Sequence, residues 1–247
     1  MRKFGLIGYP LEHSFSPAYF KSKFSDEGIT DIRYDLYPLK DISDLESLLR
    51  GEPELQGLNV TIPYKEQVIP YLDEMDALAA RIGAVNTIDR TAHGWKGYNT
   101  DYYGFKKSIG PFLDWRHERA LILGSGGASK AVVAVLEDIG IQTLIITRHP
   151  HAANHLAYAD VGPELLKHFK LLVNTTPLGT HPQVLEKVDI PYDSLTPDHL
   201  LIDLVYNPPM TSFMNEGIQR GAKAVNGYNM LVLQAERSWE LWNGKGI

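Results

Sequence analysis

Arg119-Ala120-Leu121-Ile122-Leu123-Gly124-Ser125-Gly126-Gly127-Ala128-Ser129 reads as a short apolar strand, a glycine-rich turn and the opening of a helix that runs on from Lys130 to Asp138. Glycines permit the tight turn and let backbone N–H groups approach a pyrophosphate, which also meets the positive end of the helix. A glycine-rich turn alone is merely a tight connection. Here strand, turn, helix and next strand arrive in order, and that order is what a dinucleotide fingerprint requires. Thr143 to Thr147, Leu171 to Thr175, Leu200 to Val205 and Ala222 to Val225 continue the alternation as strands of a doubly wound sheet.

The end of the next strand bears on which dinucleotide is held. An NAD site would place Asp or Glu there for the ribose hydroxyls, whereas this chain has Thr147-Arg148-His149. Arg148 offers a planar fork of donors suited to a 2′-phosphate, with no acid beside it, so NADP is favoured. The competing reading is a solvated arginine at a strand end.

Towards the N-terminus, Lys3 to Gly8, Ile32 to Leu39, Leu58 to Ile62, Ala84 to Asp89 and Gly94 to Tyr98 read as strands with helices between them. One helix is well signalled. Ser16 can cap it, Pro17 suits its first helical position, Phe20 and Phe24 stand i,i+4, and Gly28 can close it. In Gly57-Leu58-Asn59-Val60-Thr61-Ile62-Pro63-Tyr64-Lys65, apolar and polar residues alternate until Pro63 ends ladder pairing and leaves Lys65 beyond the sheet. Open α/β sheets keep their sites at such strand ends.

Composition narrows the function classes. The 247 residues carry a formal charge of −6, contain 44% hydrophobic residues and include no cysteine. That balance gives no general attraction for nucleic acid or an anionic membrane, so an anionic ligand must be met by local groups. Without cysteine there is no disulfide, thiolate nucleophile or sulfur-ligated metal. The nine histidines are scattered, and no metal site is expected. Met1 to Gly8 has too few apolar residues for a signal h-region, so the cytoplasm is the expected compartment.

Several spaced motifs together resemble the shikimate dehydrogenase family over nearly the whole chain. They are Tyr9-Pro10-Leu11-Glu12-His13-Ser14-Phe15-Ser16-Pro17, Asn59 to Lys65, Gly83-Ala84-Val85-Asn86-Thr87 and Asn99-Thr100-Asp101. Gly124 to Ser129, Asn174-Thr175-Thr176-Pro177, Asp203 to Pro208 and Gly227 to Gln234 follow in the same order. The resemblance implies a two-domain α/β fold: an N-terminal α/β substrate domain (1 to 101 and 226 to 247) and a Rossmann-type NADP-binding domain (102 to 225). The C-terminal helix would return to the first domain, and a cleft would lie between the two.

The implied reaction is reversible reduction of 3-dehydroshikimate to shikimate by NADPH, on the route to chorismate and the aromatic amino acids. Lys65 is the implied general acid, with Asp101 beside it to orient and stabilise it. Taken singly, Lys65 reads equally well as a surface residue and Asp101 as an N-cap. Ser14 and Ser16 would take the substrate carboxylate, although Ser16 equally reads as a helix cap. Asn86, Asp101 and Gln234 would hold ring hydroxyls, with Thr61 and Tyr206 as further substrate-binding candidates. Asn86 also reads as a turn-side hydrogen bond.

The implied cofactor residues are Gly124, Ser125, Gly126, Gly127, Ala128, Ser129, Thr147, Arg148, Thr175, Pro177, Val205, Gly227 and Met230. A methionine at a helix start is by default core, so Met230 has both readings. Expected partners are the small-molecule substrate only, with a monomer or homodimer as the working form.

Two positions depart from the family pattern. Ala152 stands where a second phosphate-binding arginine would be, and Lys130 replaces an arginine of the glycine loop, keeping charge but losing the fork. Both weaken the expected NADP preference, and His149 and His151 are candidate compensating donors below neutral pH. Three other functions remain open at this stage. A quinate or dual quinate/shikimate dehydrogenase would share Lys65. A methylenetetrahydrofolate dehydrogenase would explain neither the serine pair nor Gln234. A non-catalytic ligand sensor would not need both Lys65 and Asp101.

Overall fold

The computed structural model describes residues 1–12 and 14–244. His13, part of the opening motif, lies outside the described residues. The chain forms two compact units, Met1–Thr100 with the segment from Ala235 onward, and Asp101–Gln234.

The first unit holds β1 (Arg2–Gly8), α1 (Ser16–Asp26), β2 (Ile32–Pro38), α2 (Leu45–Gly51), β3 (Leu55–Val60), β4 (Glu74–Met75), α3 (Ala77–Ile82), β5 (Thr87–Thr91) and β6 (Gly94–Tyr98). These six strands make a mixed sheet in the order β2-β1-β3-β5-β6-β4. β1 runs parallel to β2 and β3, whereas β5 is antiparallel to both β3 and β6. The βα alternation expected from the sequence therefore gives way to a β5–β6 hairpin.

Packing follows side-chain chemistry on each face. Ile7, Leu58, Val60, Val85 and Ile88 gather on one side with Tyr64 and Val68. Phe4, Phe20, Phe24 and Ile32 gather on the other with Ala235 and Trp242 from the last helix. Gly57 makes room for that helix, because a Cβ there would strike Trp242 Nε1. The indole is fixed in place by its own hydrogen bond to the Ile88 carbonyl at 2.9 Å.

The second unit carries β7 (Arg119–Leu123), α5 (Gly127–Asp138), β8 (Gln142–Ile146), β9 (His155–Leu156), α6 (Pro163–His168), β10 (Leu171–Asn174), β11 (Leu200–Asp203), α7 (Ser212–Gln219) and β12 (Lys223–Val225). Its sheet is wholly parallel, in the order β12-β11-β10-β7-β8-β9. A parallel sheet is covered on both faces, so its strands must be apolar on both. The two cores show this alternation residue by residue. Leu121, Leu123, Leu172 and Leu201 enter one core with Phe213 and Met214. Ala120, Ile122, Leu171, Val173, Leu200 and Ile202 enter the other with Val132, Val135 and Leu136 of α5.

Two helices pass from one unit to the other along the chain. The first residue of α4 (Thr100–Ile109) belongs to the first unit and the rest to the second. α8 (Tyr228–Trp242) starts in the second unit and continues from Ala235 in the first. The fold is a two-domain α/β architecture with a Rossmann-type second unit and a C-terminal helix that returns to the first.

Candidate active site

Lys65 is held by its neighbours. β3 stops at Val60, two residues before the expected end, and residues 62–68 form turns. Tyr64 is buried and its hydroxyl donates to the Leu39 carbonyl at 2.7 Å. The Lys65 carbonyl accepts the Val85 N–H at 2.7 Å. The backbone that carries this half-buried amine is thus fixed on both sides. Thr61, also half-buried, donates its N–H to the Ile7 carbonyl at 2.9 Å, extending the β1–β3 ladder by one residue.

Ser16 does not cap α1. It is the first helical residue, the N-cap position falls to Phe15, and that residue has no side-chain cap bond. The Ser16 hydroxyl instead meets the Tyr34 phenol, whose titration burial pushes well above the ordinary tyrosine range. Ser14, half-buried, donates its N–H to the Leu11 carbonyl at 3.1 Å.

Asn86 lies just before β5 rather than inside a strand. Its Oδ1 accepts the Thr100 N–H at 2.7 Å and its Nδ2 donates to Thr100 Oγ1 at 2.9 Å. The side chain therefore holds the first N–H of α4, a group that a helix leaves without an internal acceptor. Asn59, 5% exposed, links the two proposed ends of the substrate site. Its Oδ1 accepts from the Tyr34 hydroxyl at 2.8 Å, and its Nδ2 reaches the Asn86 carbonyl at 3.3 Å.

The second unit gathers the proposed cofactor residues at one end of its parallel strands. Gly124 has φ +112, and a Cβ there would lie 2.8 Å from Thr175 Oγ1, so only glycine serves at this turn. Apart from its chain neighbours, nothing stands within 4 Å of the Cβ position at Gly126, leaving that side of the backbone open to a close-approaching group. α5 begins at Gly127, earlier than the sequence reading placed it, so Gly127, Ala128 and Ser129 form its first turn. The Ser129 hydroxyl donates to the Gly126 carbonyl at 2.6 Å, bracing the loop. The Ser125 and Thr147 hydroxyls pair at 2.9 Å and join this loop to the end of β8. Thr175 donates to the Leu123 carbonyl at 2.9 Å, tying the loop after β10 to β7. The exposed Pro177 follows in that loop.

Gly227 donates to the Val205 carbonyl at 3.2 Å, and a Cβ at Gly227 would strike the Leu204 carbonyl. Tyr206 is half-buried beyond β11. Met230 is core in the second unit, packed with Phe105 and Val132. Gln234 is 8% exposed and its Nε2 donates to the Leu231 carbonyl at 2.8 Å. Asp101, 5% exposed, stands in the first turn of α4, so it is not the helix N-cap.

Arg148 is exposed at the end of β8, close enough to oppose the upward shift that burial gives the Tyr158 hydroxyl. His149 and His151 are exposed beside it. The His151 ring meets the His155 ring edge-on at 4.4 Å, and burial, followed by the charge of His151, holds His155 below the ordinary histidine value. This geometry fits a dinucleotide: a positive-φ glycine, an open backbone at Gly126, a helix start, and a basic side chain at the next strand end.

Sequence reasoning gave no role to Asp203, which the structure makes a hub. The carboxylate is fully buried and accepts from Asn174 Nδ2 at 2.9 Å, the Val205 N–H at 3.0 Å and Thr211 Oγ1 at 2.6 Å. Asn174 Oδ1 in turn accepts the Thr176 N–H at 3.0 Å and the Thr176 hydroxyl at 2.7 Å. The loops bearing Thr175, Pro177, Val205 and Tyr206 thus share one anchor. Burial raises the Asp203 carboxyl to about 6 despite these donors. Its signal in sequence was its place at the end of the wholly apolar Leu200-Leu201-Ile202, where an acid must find partners.

Known proteins resemble this chain in sequence and in fold. A family model described as the shikimate dehydrogenase substrate binding domain matches residues 6–88. The shikimate dehydrogenase (NADP(+)) of Halothermothrix orenii is 40% identical over 263 residues, covering 97% of this chain and 90% of that protein. The crystal structure of shikimate dehydrogenase 1 from Peptoclostridium difficile matches with a TM-score of 0.85 at 39% identity, covering 100% of this chain and 93% of that one. Shikimate 5-dehydrogenase from Thermus thermophilus, solved in complex with NADP(H) and shikimate, matches with a TM-score of 0.87 at 29% identity, covering 99% and 94%. On this likeness in sequence and fold, the chain belongs to the shikimate dehydrogenase family.

Proposed function

We propose that this protein is an NADP-dependent oxidoreductase that interconverts 3-dehydroshikimate and shikimate. The observation that carries the reading is the fixed turn after β3, where Tyr64 in the core and the Val85 N–H hold the backbone of Lys65. When bound, NADPH supplies the hydride. As hydride reaches the ketone carbon, charge develops on oxygen, and the Lys65 ammonium donates the proton that makes the hydroxyl. In oxidation Lys65 takes that proton back. Asp101 orients and stabilises the lysine.

Ser14 and Ser16 hold the carboxylate, and Asn86, Asp101 and Gln234 the ring hydroxyls, with Thr61 and Tyr206 completing the set. In the second unit, Gly124 to Ser129 cradle the pyrophosphate and Thr147 with Arg148 meets the 2′-phosphate. Thr175, Pro177, Val205 and Gly227 would hold the rest of the cofactor, and Met230, packed in the core at the start of α8, would support the nicotinamide side from there. The first unit is thereby the substrate-binding domain and the second the NADP-binding domain. No helix among the described residues is long and apolar enough to cross a membrane. We place the enzyme in the cytoplasm as a monomer or homodimer.

The test is absorbance of reduced nicotinamide with shikimate and NADP, then with NAD, then with quinate replacing shikimate. Wild type reduces NADP with shikimate, and Lys65→Ala loses a factor of about 10² to 10⁴ in kcat, the usual contribution of a positioned acid–base group. A Lys65→Ala variant with undiminished turnover would overturn the assignment of Lys65.

A further inference from the structure

Ser238 stands on α8 one helical turn beyond Gln234 and is fully buried. Its hydroxyl accepts from Asn59 Nδ2 at 3.0 Å and also meets Thr87 Oγ1 at 2.7 Å and Thr100 Oγ1 at 3.1 Å. A serine hydroxyl has one donor and two acceptor pairs. Asn59 donates to that of Ser238, and each threonine hydroxyl stands within hydrogen-bonding reach of it as donor or acceptor. Four segments distant in sequence therefore meet at a single oxygen.

The partners of Ser238 carry the arrangement outward. Thr87 donates to Asn86 Oδ1 at 3.1 Å, and Asn86 Nδ2 donates to Thr100 Oγ1 at 2.9 Å. On the other side, Asn59 accepts from Tyr34 at 2.8 Å, and Tyr34 meets the Ser16 hydroxyl. Asn59, Asn86, Thr87 and Thr100 are all 5% exposed or less. Burial of these groups makes each bond in the set matter for how the amides are turned.

We infer that Ser238 is a positioning residue for substrate recognition: through Thr87 and Thr100 it fixes the Asn86 amide, and through Asn59 and Tyr34 it fixes Ser16. The inference rests on the proposed roles of Asn86 and Ser16 in holding shikimate. A methyl in place of the hydroxyl removes the shortest of the three contacts of Asn59 Nδ2, leaving the Asn86 carbonyl and Thr87 Oγ1 at 3.3 Å, and takes one partner from each threonine. The threonines then compete for Asn86 Oδ1, which already accepts the Thr100 N–H at 2.7 Å, and the amide turns away from its set direction.

The experiment compares wild type with Ser238→Ala and Ser238→Thr by steady-state kinetics, thermal unfolding and the side-chain amide resonances of Asn59 and Asn86. Ser238→Ala should raise KM for shikimate about tenfold, the equivalent of one net hydrogen bond. Over the same comparison kcat stays within about twofold and KM for NADP is unchanged, because an altered ground-state contact acts on binding more than on chemistry. Ser238→Thr, which keeps the hydroxyl, restores most of the shikimate affinity. The Asn59 and Asn86 resonances shift in the free Ser238→Ala protein.

A lowered melting temperature with KM and resonances unmoved would mean that Ser238 only supports the fold, and would overturn the inference. Absence of shikimate turnover in wild type would instead overturn the proposed reaction. The amide resonances of the free protein then still decide whether Ser238 sets Asn86.

Discussion

In the unit built around β1, one set of buried amides and hydroxyls meets at Ser238, whereas in the unit built around β7 Asn174, Thr211 and the Val205 N–H converge on the Asp203 carboxylate. Both arrangements fix groups proposed to touch a ligand: Asn86 and Ser16 in the first, the loops of Thr175 and Val205 in the second. They differ in what threatens them. A neutral network has no charge to lose and depends only on where each donor points. A buried carboxylate binds its donors more strongly, but it is expensive to keep ionised away from water. pH should therefore act on the second arrangement and leave the first alone.

The largest expected effect tests that contrast at Asp203. Burial raises its carboxyl to about 6, above the ordinary aspartate value of 3.8. For an acid raised on folding, the stabilising contribution is fully present below the unfolded value and is lost as pH rises through the folded one. The second unit should thus lose on the order of 3 kcal/mol through this residue between about pH 4 and pH 7.5. Asp203→Asn keeps an acceptor oxygen and removes the titration. His117 and His199 work in the opposite direction, since burial holds both below the ordinary histidine value and they destabilise as pH falls. The readout is accordingly the difference between wild type and Asp203→Asn in urea unfolding at each pH. A difference that stays flat across this range would refute the charged-hub reading.

A middle-sized effect tests the neutral side through geometry. Gly57 lies under the Trp242 ring, and a Cβ there would strike Nε1 and come within 2.6 Å of Cδ1. The indole cannot simply rotate away without giving up its bond to the Ile88 carbonyl. Gly57→Ala should cost about 1 to 3 kcal/mol as overpacking, read by urea unfolding. Because Trp242 is on α8 one turn past Ser238, the same substitution should raise KM for shikimate at every pH. A KM change confined to one side of pH 6 would mean that the first unit contains a titrating element in its site.

How far the sequence revealed these features depends on how local their causes are. The places of the glycine turn and of Lys65, each beyond a strand end, were legible because a strand, a breaker and a helix or turn start lie within a few residues of each other. The position of Arg148 just after β8 was legible for the same reason. Asn86 was misplaced into a strand because Ala84-Val85 looks apolar enough to begin one, yet its amide accepts the Thr100 N–H from beyond the β5–β6 hairpin. Ser16 looked like a cap because a serine precedes Pro17, yet its hydroxyl meets Tyr34, from a strand that pairs beside β1. Ser238 was invisible: Asn59 and Ser238 are 179 residues apart, and nothing in Glu236-Arg237-Ser238-Trp239 marks the serine as buried. Asp203 was nearly legible, since an acid closing an apolar strand must be paired, but its partners are Asn174, at the end of the neighbouring β10, and Thr211, before α7, and their meeting depends on strand order.

The smallest effect probes the boundary of the comparison, because the first unit does contain one acid raised by burial, Asp89, to about 6. It lies on β5 two residues after Thr87, opposite Gly57 and Lys96 in the ladders. By alternation it shares a face with Thr87, so it is the group best placed to bring charge near the Ser238 network. It is half-buried, and solvent screens what the raised value would otherwise imply. The sign is the same as for Asp203: its contribution is lost as pH rises through about 6, so Asp89→Asn should stabilise the protein at pH 8 by less than about 1 kcal/mol. If the network is neutral in function as well as in composition, Asp89→Asn leaves KM for shikimate, and its change with pH, as in wild type. A variant in which that pH profile flattens would join Asp89 to the substrate site, and the contrast between a neutral and a charged hub would no longer separate the two units.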